Sequence, residues 1–290
     1  MMITVAGILF SWSATAQECL TCKTPAAGQI FCDDFESEQN LSERYFGYDD
    51  DDGEFIIKNG VGRNGSRGMR VKWQKGEVEA GVLQKAIGRS PDWGMHHSEF
   101  LDSNFNEIYW RIDVRTEPGW EGGGGDKLTR ATTIATKNWQ QGMIAHLWSG
   151  GSDSTRDFLV MDPASGINDE GKLVSNRYND FDHLRWMGNR KGNIDLFSTR
   201  RSGEWFCVVG HIKLNTPGRS DGVFEYWIND SIQNSRRDLN WHSTWNSGSG
   251  TYGINAVFFE NYWNRGAVKD EERYFDNILI TKTPIRCKCN

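Results

Sequence analysis

Asn106-Glu107-Ile108-Tyr109-Trp110-Arg111-Ile112-Asp113-Val114-Arg115 decides the fold class of this 290-residue chain. Ile108, Trp110, Ile112 and Val114 face one way, and Tyr109, Arg111, Asp113 and Arg115 the other. A period of two puts apolar side chains on one face of a β-strand and polar ones on the opposite face. The segment 205–214 repeats the pattern: Phe206, Val208, Ile212 and Leu214 alternate with Cys207, Val209, His211 and Lys213. Further short segments rich in β-branched and aromatic residues, bounded by Gly, Asn, Asp or Ser, predict strands at 29–34, 55–58, 69–73, 81–87, 132–136, 143–148, 158–161, 223–229, 253–262 and 273–281. Helical periodicity is not sustained anywhere. A dozen strands without intervening helices predict an all-β, two-sheet antiparallel sandwich.

No linker rich in Pro, Ser or Gly divides the chain, so a single domain over 17–290 is expected. The composition includes 13 Trp, 8 Tyr, 15 Phe and 32 Gly, which suits a large β core with many turns and argues against disorder. Net charge is −6, with no clustered basic patch of the kind nucleic acid requires. No apolar run long enough to span a membrane follows the N-terminus. The run Asp49 to Asp52 reads as a solvated turn rather than a calcium site.

Residues 1–16 carry no charge, contain an apolar run from Ile3 to Trp12, and end in Ala14-Thr15-Ala16. The small-x-small ending predicts a secretory signal cut before Gln17. Export would place Cys19, Cys22, Cys32, Cys207, Cys287 and Cys289 in an oxidising compartment, where disulfides tying the termini together are expected. Two alternatives stay open. Cys19, Cys22, Cys287 and Cys289 would suit zinc, although Cys287-x-Cys289 is tighter than the usual spacing. Cys207 within its strand would suit a buried thiol.

The stretch Gly203-Glu204-Trp205-Phe206, followed by His211-Ile212-Lys213-Leu214-Asn215-Thr216-Pro217-Gly218-Arg219-Ser220-Asp221-Gly222-Val223-Phe224-Glu225-Tyr226-Trp227-Ile228-Asn229, resembles a two-strand segment of the concanavalin A-like jelly-roll polysaccharide lyases. The similar groups are the alginate and glucuronan lyases of polysaccharide lyase families 14 and 20. Asn215 to Gly218 and Ser220 to Gly222 supply the turn chemistry between its strands. Cys32-Asp33-Asp34-Phe35-Glu36 and Tyr274-Phe275-Asp276-Asn277-Ile278 resemble the first and last strands of such jelly rolls, which lie side by side. The resemblance is sharp over about 205–229 and topological over 29–282. In those lyases a Gly-Gly-Lys-Leu-Pro-Gly-Leu loop presents a lysine to the substrate. The counterpart is Gly124-Gly125-Asp126-Lys127-Leu128-Thr129-Arg130, so Lys127 aligns, the Pro-Gly-Leu tail is absent, and Asp126 is placed to pair with Lys127.

The resemblance implies a secreted, monomeric enzyme without cofactor or metal that cleaves an acidic, uronate-containing glycan by β-elimination. The alternative is a non-catalytic, lectin-like carbohydrate-binding module with the same groove. Elimination requires a cation to neutralise the uronate carboxylate, a base for the C5 proton and an acid for the leaving oxygen. Arg111, Lys127 and Arg130 are candidates for the first role. His146 and Tyr178 are candidates for proton transfer, with Lys127 and Tyr262 also in reach of that chemistry. Pyranose rings present apolar C–H faces that stack on aromatics. Tyr109, Trp148, Tyr262 and the polar-aromatic strand end Glu260-Asn261-Tyr262-Trp263-Asn264 are therefore expected to bind substrate. Trp120, Trp139, Trp186 and Trp263 also flank proposed loops, whereas Trp110, Trp205 and Trp227 read as core. The paired acids of the same-fold glucanases and H-E-x-x-H are absent, and the match to G-x-S-x-G at Gly218-Arg219-Ser220-Asp221-Gly222 falls in the turn between two strands of the resembling segment.

Overall fold

The computed structural model describes residues 22–25, 27–91, 97–245 and 252–287. The expected signal segment, Cys19, His96 and Cys289 lie outside these residues. Two antiparallel eight-stranded sheets face each other in a jelly-roll sandwich.

The first sheet runs in the order β14 (Ser231–Leu239), β13 (Gly222–Ile228), β12 (Phe206–Lys213), β6 (Glu107–Thr116), β16 (Glu271–Thr281), β4 (Gly68–Trp73) and β3 (Phe55–Lys58), with β1 (Gln29–Asp33) also on β16. The second runs β10 (Arg185–Trp186), β9 (Leu159–Ser165), β8 (Gln141–Ser149), β7 (Lys127–Ile134), β15 (Ala256–Tyr262), β5 (Glu79–Ala86) and β2 (Gly47–Asp49), with β11 (Arg190–Lys191) also on β9. Among the described residues, a four-residue α-helix, α1 (Leu41–Arg44), and three single turns of 3-10 helix interrupt this order.

The alternation read in β6 holds: Ile108, Trp110, Ile112 and Val114 are fully buried between the sheets. Gly210 of β12 lies opposite Trp110, and a Cβ there would sit 2.3 Å from the indole, so the sheet packs flat only with glycine. The first and last strands pair as expected, Cys32 opposite Leu279.

The differences from expectation have physical causes. β7 begins at Lys127 rather than Thr132, because its polar residues face a groove on one side while Thr129 turns inward to accept a hydrogen bond from Trp110 Nε1 at 3.2 Å. β9 runs through Asp162-Pro163 to Ser165, and its outer neighbours β10 and β11 leave a gap opposite those two residues. The edge strand β14 is too polar on both faces to show alternation. Trp120 and Trp263 belong to the core, packed with Trp73 in a trio whose ring centroids lie 5.3–5.9 Å apart. Trp205 and Trp227 are only half-buried.

Cys22 pairs with Cys32, and Cys207 with Cys287. The zinc alternative for Cys22 and Cys287 and the free-thiol alternative for Cys207 are thereby excluded. No helix of the described residues is long and apolar enough to cross a membrane, and none of their His, Cys, Asp and Glu side chains gather as a metal-binding group.

Candidate functional site

Strands β8, β7 and β15 lie side by side in the second sheet, so their residues at matched register share a face. Leu128, Ala131, Ala145, Leu147, Val257 and Phe259 turn into the main core. Between them, Arg130 lies opposite His146 on one side and Phe258 on the other, and Lys127 lies opposite Trp148. A register shift between Lys127 and Thr129 lets Lys127 share the outer face with Arg130. Lys127, Tyr178, Glu260, Asn261 and Tyr262 contribute to a groove of about 350 Å³ on this face, whose further lining includes Glu79, Gln84, Asn179 and Phe181.

Arg130, only 2% exposed, organises the floor. Its Nη1 donates to Asn179 Oδ1 at 2.8 Å, and its Nη2 donates to Glu260 Oε1 at 2.8 Å and to the Tyr178 hydroxyl. The guanidinium also lies against the rings of Tyr178 and Phe258, at 4.9 and 5.2 Å from their centroids. Such a cation is tolerated under cover because both terminal nitrogens are matched, although its Nε is buried without a hydrogen-bond partner. Every terminal nitrogen of Arg130 is engaged, so its part is to hold Tyr178 and Glu260 rather than to receive a free carboxylate.

Among the described residues, Lys127 makes no salt bridge. Its Nζ sits 4.2 Å from the Tyr262 ring centroid. Burial is the main cause holding its pKa below the ordinary lysine value, with Arg130 adding to the effect and Glu260 opposing it. The expected partner Asp126 turns the other way, to Arg273 Nη1.

His146 stacks beside Trp148 with centroids 5.8 Å apart. Its Nε2 lies 3.9 Å from Glu260 Oε2, and both atoms are buried without a hydrogen-bond partner. Burial first, then the cations Arg130 and Lys127, push its pKa well below 6.5, so the ring is neutral at neutral pH. Burial likewise raises the Tyr178 phenol well above its usual value, although Arg130 opposes this. The phenol accepts from Arg130, which leaves its own O–H free to donate.

Two contributors escaped the sequence reading. Arg273 of β16, completely buried, reaches across the sandwich: Nη1 meets Asp126 Oδ2, and Nη2 donates to the Glu260 carbonyl at 2.9 Å, the Asn261 Oδ1 at 2.8 Å and the Lys127 carbonyl at 3.1 Å. It thereby ties the start of β7 to the end of β15, the two points that carry Lys127 and Glu260. Asp162 lies opposite His146 on β9, and burial pushes its carboxyl up to about 6. Both are charged residues in apolar strand patterns, the signal that also marks His146.

Besides Arg130, three expected residues lie elsewhere or are spent on framework. Arg111 and Tyr109 face outward from the other sheet. Arg111 makes a bidentate pair with Asp113 at 2.8 Å, and Tyr109 stacks on His211 with centroids 4.0 Å apart. The expected cluster of Arg111 with Lys127 and Arg130 therefore does not form: alternation gives the face of a strand but not the sheet to which it belongs. Asn261 lines the groove, yet its amide is engaged by Arg273 and by the Gly81 carbonyl at 3.0 Å.

No family profile matches the chain, and no curated protein matches it in sequence. Its fold is similar to solved polysaccharide lyases. An endo-β-1,4-glucuronan lyase from the fungus Trichoderma reesei superposes with TM-score 0.59 at 11% identity, over 88% of this chain and 96% of that one. A marine alginate lyase from Aplysia kurodai gives 0.56 at 13%, over 89% and 100%. An alginate lyase from a Chlorella virus gives 0.55 at 13%, over 82% and 91%.

Proposed function

We propose that this protein is an exported polysaccharide lyase that cleaves a uronate-containing glycan by β-elimination in the groove of the second sheet. The observation that carries the reading is the grouping of Lys127 and a protonated phenol (Tyr178) in the lining of one groove with a neutral buried imidazole (His146), whose Nε2 lies 3.9 Å from the groove residue Glu260. The fold shared with alginate and glucuronan lyases supports the choice of reaction.

Lys127 pairs with the uronate carboxylate, whose negative charge restores the ammonium that burial disfavours, and so acidifies the proton on the adjacent carbon. Neutral His146 takes that proton. The electron pair forms the C4–C5 double bond and expels the C4 oxygen, which receives a proton from Tyr178. Arg130 then faces the phenolate and stabilises it. Trp148 and Tyr262 offer flat apolar surfaces to sugar rings. The two disulfides suit an oxidising, extracytoplasmic compartment.

Incubation with glucuronan, alginate and related polyuronates, followed by ultraviolet absorbance of the conjugated unsaturated uronate, tests the reading. Absorbance should rise with at least one polymer. Binding to a polymer with no rise on any of them would establish the non-catalytic alternative.

A further inference from the structure

Among the described residues, the large hydrophobic side chains left exposed include Phe181 at 49% and Trp186 at 46%. Their ring centroids lie 6.0 Å apart. Phe181 lines the groove. Trp186 lies on β10 opposite Ala164, and Ala164 packs with Ile144 and Leu184 on the face that carries His146. The pair thus continues the groove towards the β10 edge of the sheet. The other exposed large hydrophobics include Phe100, whose ring meets that of Phe105, and the aliphatic Leu101, Ile232 and Val268, none of which lines the groove.

The segment bearing Phe181 is anchored. Asn179 donates from its backbone to Gln141 Oε1 at 2.9 Å and accepts from Arg130 at 2.8 Å, and Phe181 N donates to the Asn179 carbonyl at 2.8 Å. Asp180, 3% exposed, accepts from Asn176 N at 2.7 Å and meets His183 Nδ1 at 2.9 Å. Leaving two large aromatics in water on a held segment has a cost, since each forgoes the burial that favours folding.

We infer that Phe181 and Trp186 form a distal sugar-stacking subsite that holds the part of a polysaccharide chain running out of the groove across β8 and β9. The inference rests on the glycan-groove reading above but not on elimination chemistry. From β7, which carries Lys127, to β10 is three strand spacings, or about 14 Å, and the register sets Trp186 level with Thr132 rather than with Lys127, which lengthens the path further. An oligosaccharide of several sugars spans that distance, and a disaccharide does not. A pyranose stacked on Trp186 would bury its apolar C–H face and leave its hydroxyls in water. The subsite therefore selects for chain length and an extended backbone, not for charge.

Calorimetric titration of the whole protein with alginate and glucuronan oligosaccharides of increasing length tests this without depending on turnover. Phe181→Ala and Trp186→Ala should each weaken binding of a hexasaccharide roughly two- to tenfold. The loss should grow with chain length, and Trp186→Phe should recover most of it. Ile232→Ala, on the other sheet, should bind like wild type, and unchanged Tm values would show that the variants fold. Equal hexasaccharide affinity in wild type and both alanine variants would overturn the subsite, as would a loss of the same size at every length. Wild-type binding to neither glycan series would overturn the groove reading together with it. A length-dependent loss in a protein that forms no unsaturated product would sustain the subsite and refute only the lyase chemistry.

Discussion

Lys127 separates the proposed chemistry from mere binding, because among the described residues it is held in no salt bridge, whereas Arg130 is paired with Glu260. Removing an electrostatic group aimed at developing charge costs on the order of 10²–10³ in rate. Lys127→Ala should lower kcat by that amount while leaving Tm within a few degrees of wild type, and Tyr178→Phe should behave similarly if the phenol donates the proton. Wild-type turnover in either would remove that residue from the mechanism. His146 gives a pH test with a definite sign. Protonation inactivates a base, and burial holds this ring neutral to well below pH 6.5. The acid limb of kcat/KM should therefore fall below 6.5, and an acid limb at or above that pH would assign the base elsewhere. The sequence made these side chains legible because charged or titratable groups in strands of apolar neighbours stand out. Asp162 was lost because its strand was expected to stop at Met161, ahead of Pro163.

At the scale of elements, the site depends on β16 although no side chain of β16 lines the groove. Arg273 joins Asp126 to the end of β15 from within the core. Arg273→Met would leave the Asp126 carboxyl, which burial raises to about 7 even against the opposing pull of Arg273, buried without its partner, at a cost of about 3–5 kcal/mol. Adding Asp126→Leu should recover part of that loss, since the unpaired buried carboxyl is then gone. Denaturant unfolding of the cycle checks this: additive effects would mean that the pair does not act as a unit. This long-range tie could not be read from the sequence, where Asp126 stands beside Lys127 and 147 residues from Arg273. What could be read was the alternation of β6, β12 and β13, because each has one face in the core. The start of β7 and all of β14 were missed because their exposed and groove-facing positions carry too many polar residues for a period of two to appear.

Over the whole molecule, the jelly roll pairs its first strand, β1, with its last, β16, and a covalent link secures Cys287, beyond β16, to Cys207 in the middle of the chain. Cys207 and Cys287 are 80 residues apart in sequence. Closing a loop of that size restrains the unfolded chain, so Cys207→Ala/Cys287→Ala should lose roughly 2–5 kcal/mol in reversible unfolding. No measurable loss would show that packing alone holds the C-terminal segment. The fold is shared with lyases at sequence identities of 11–13%, so its architecture carries little information about the bond that is broken. That question is answered by the product. Digestion of glucuronan or alginate in oxygen-18-labelled water, followed by mass spectrometry, tests elimination directly. The account predicts fragments with an unsaturated non-reducing end and no label introduced by cleavage. Saturated fragments that each take up one labelled oxygen would contradict it, because they would require hydrolysis.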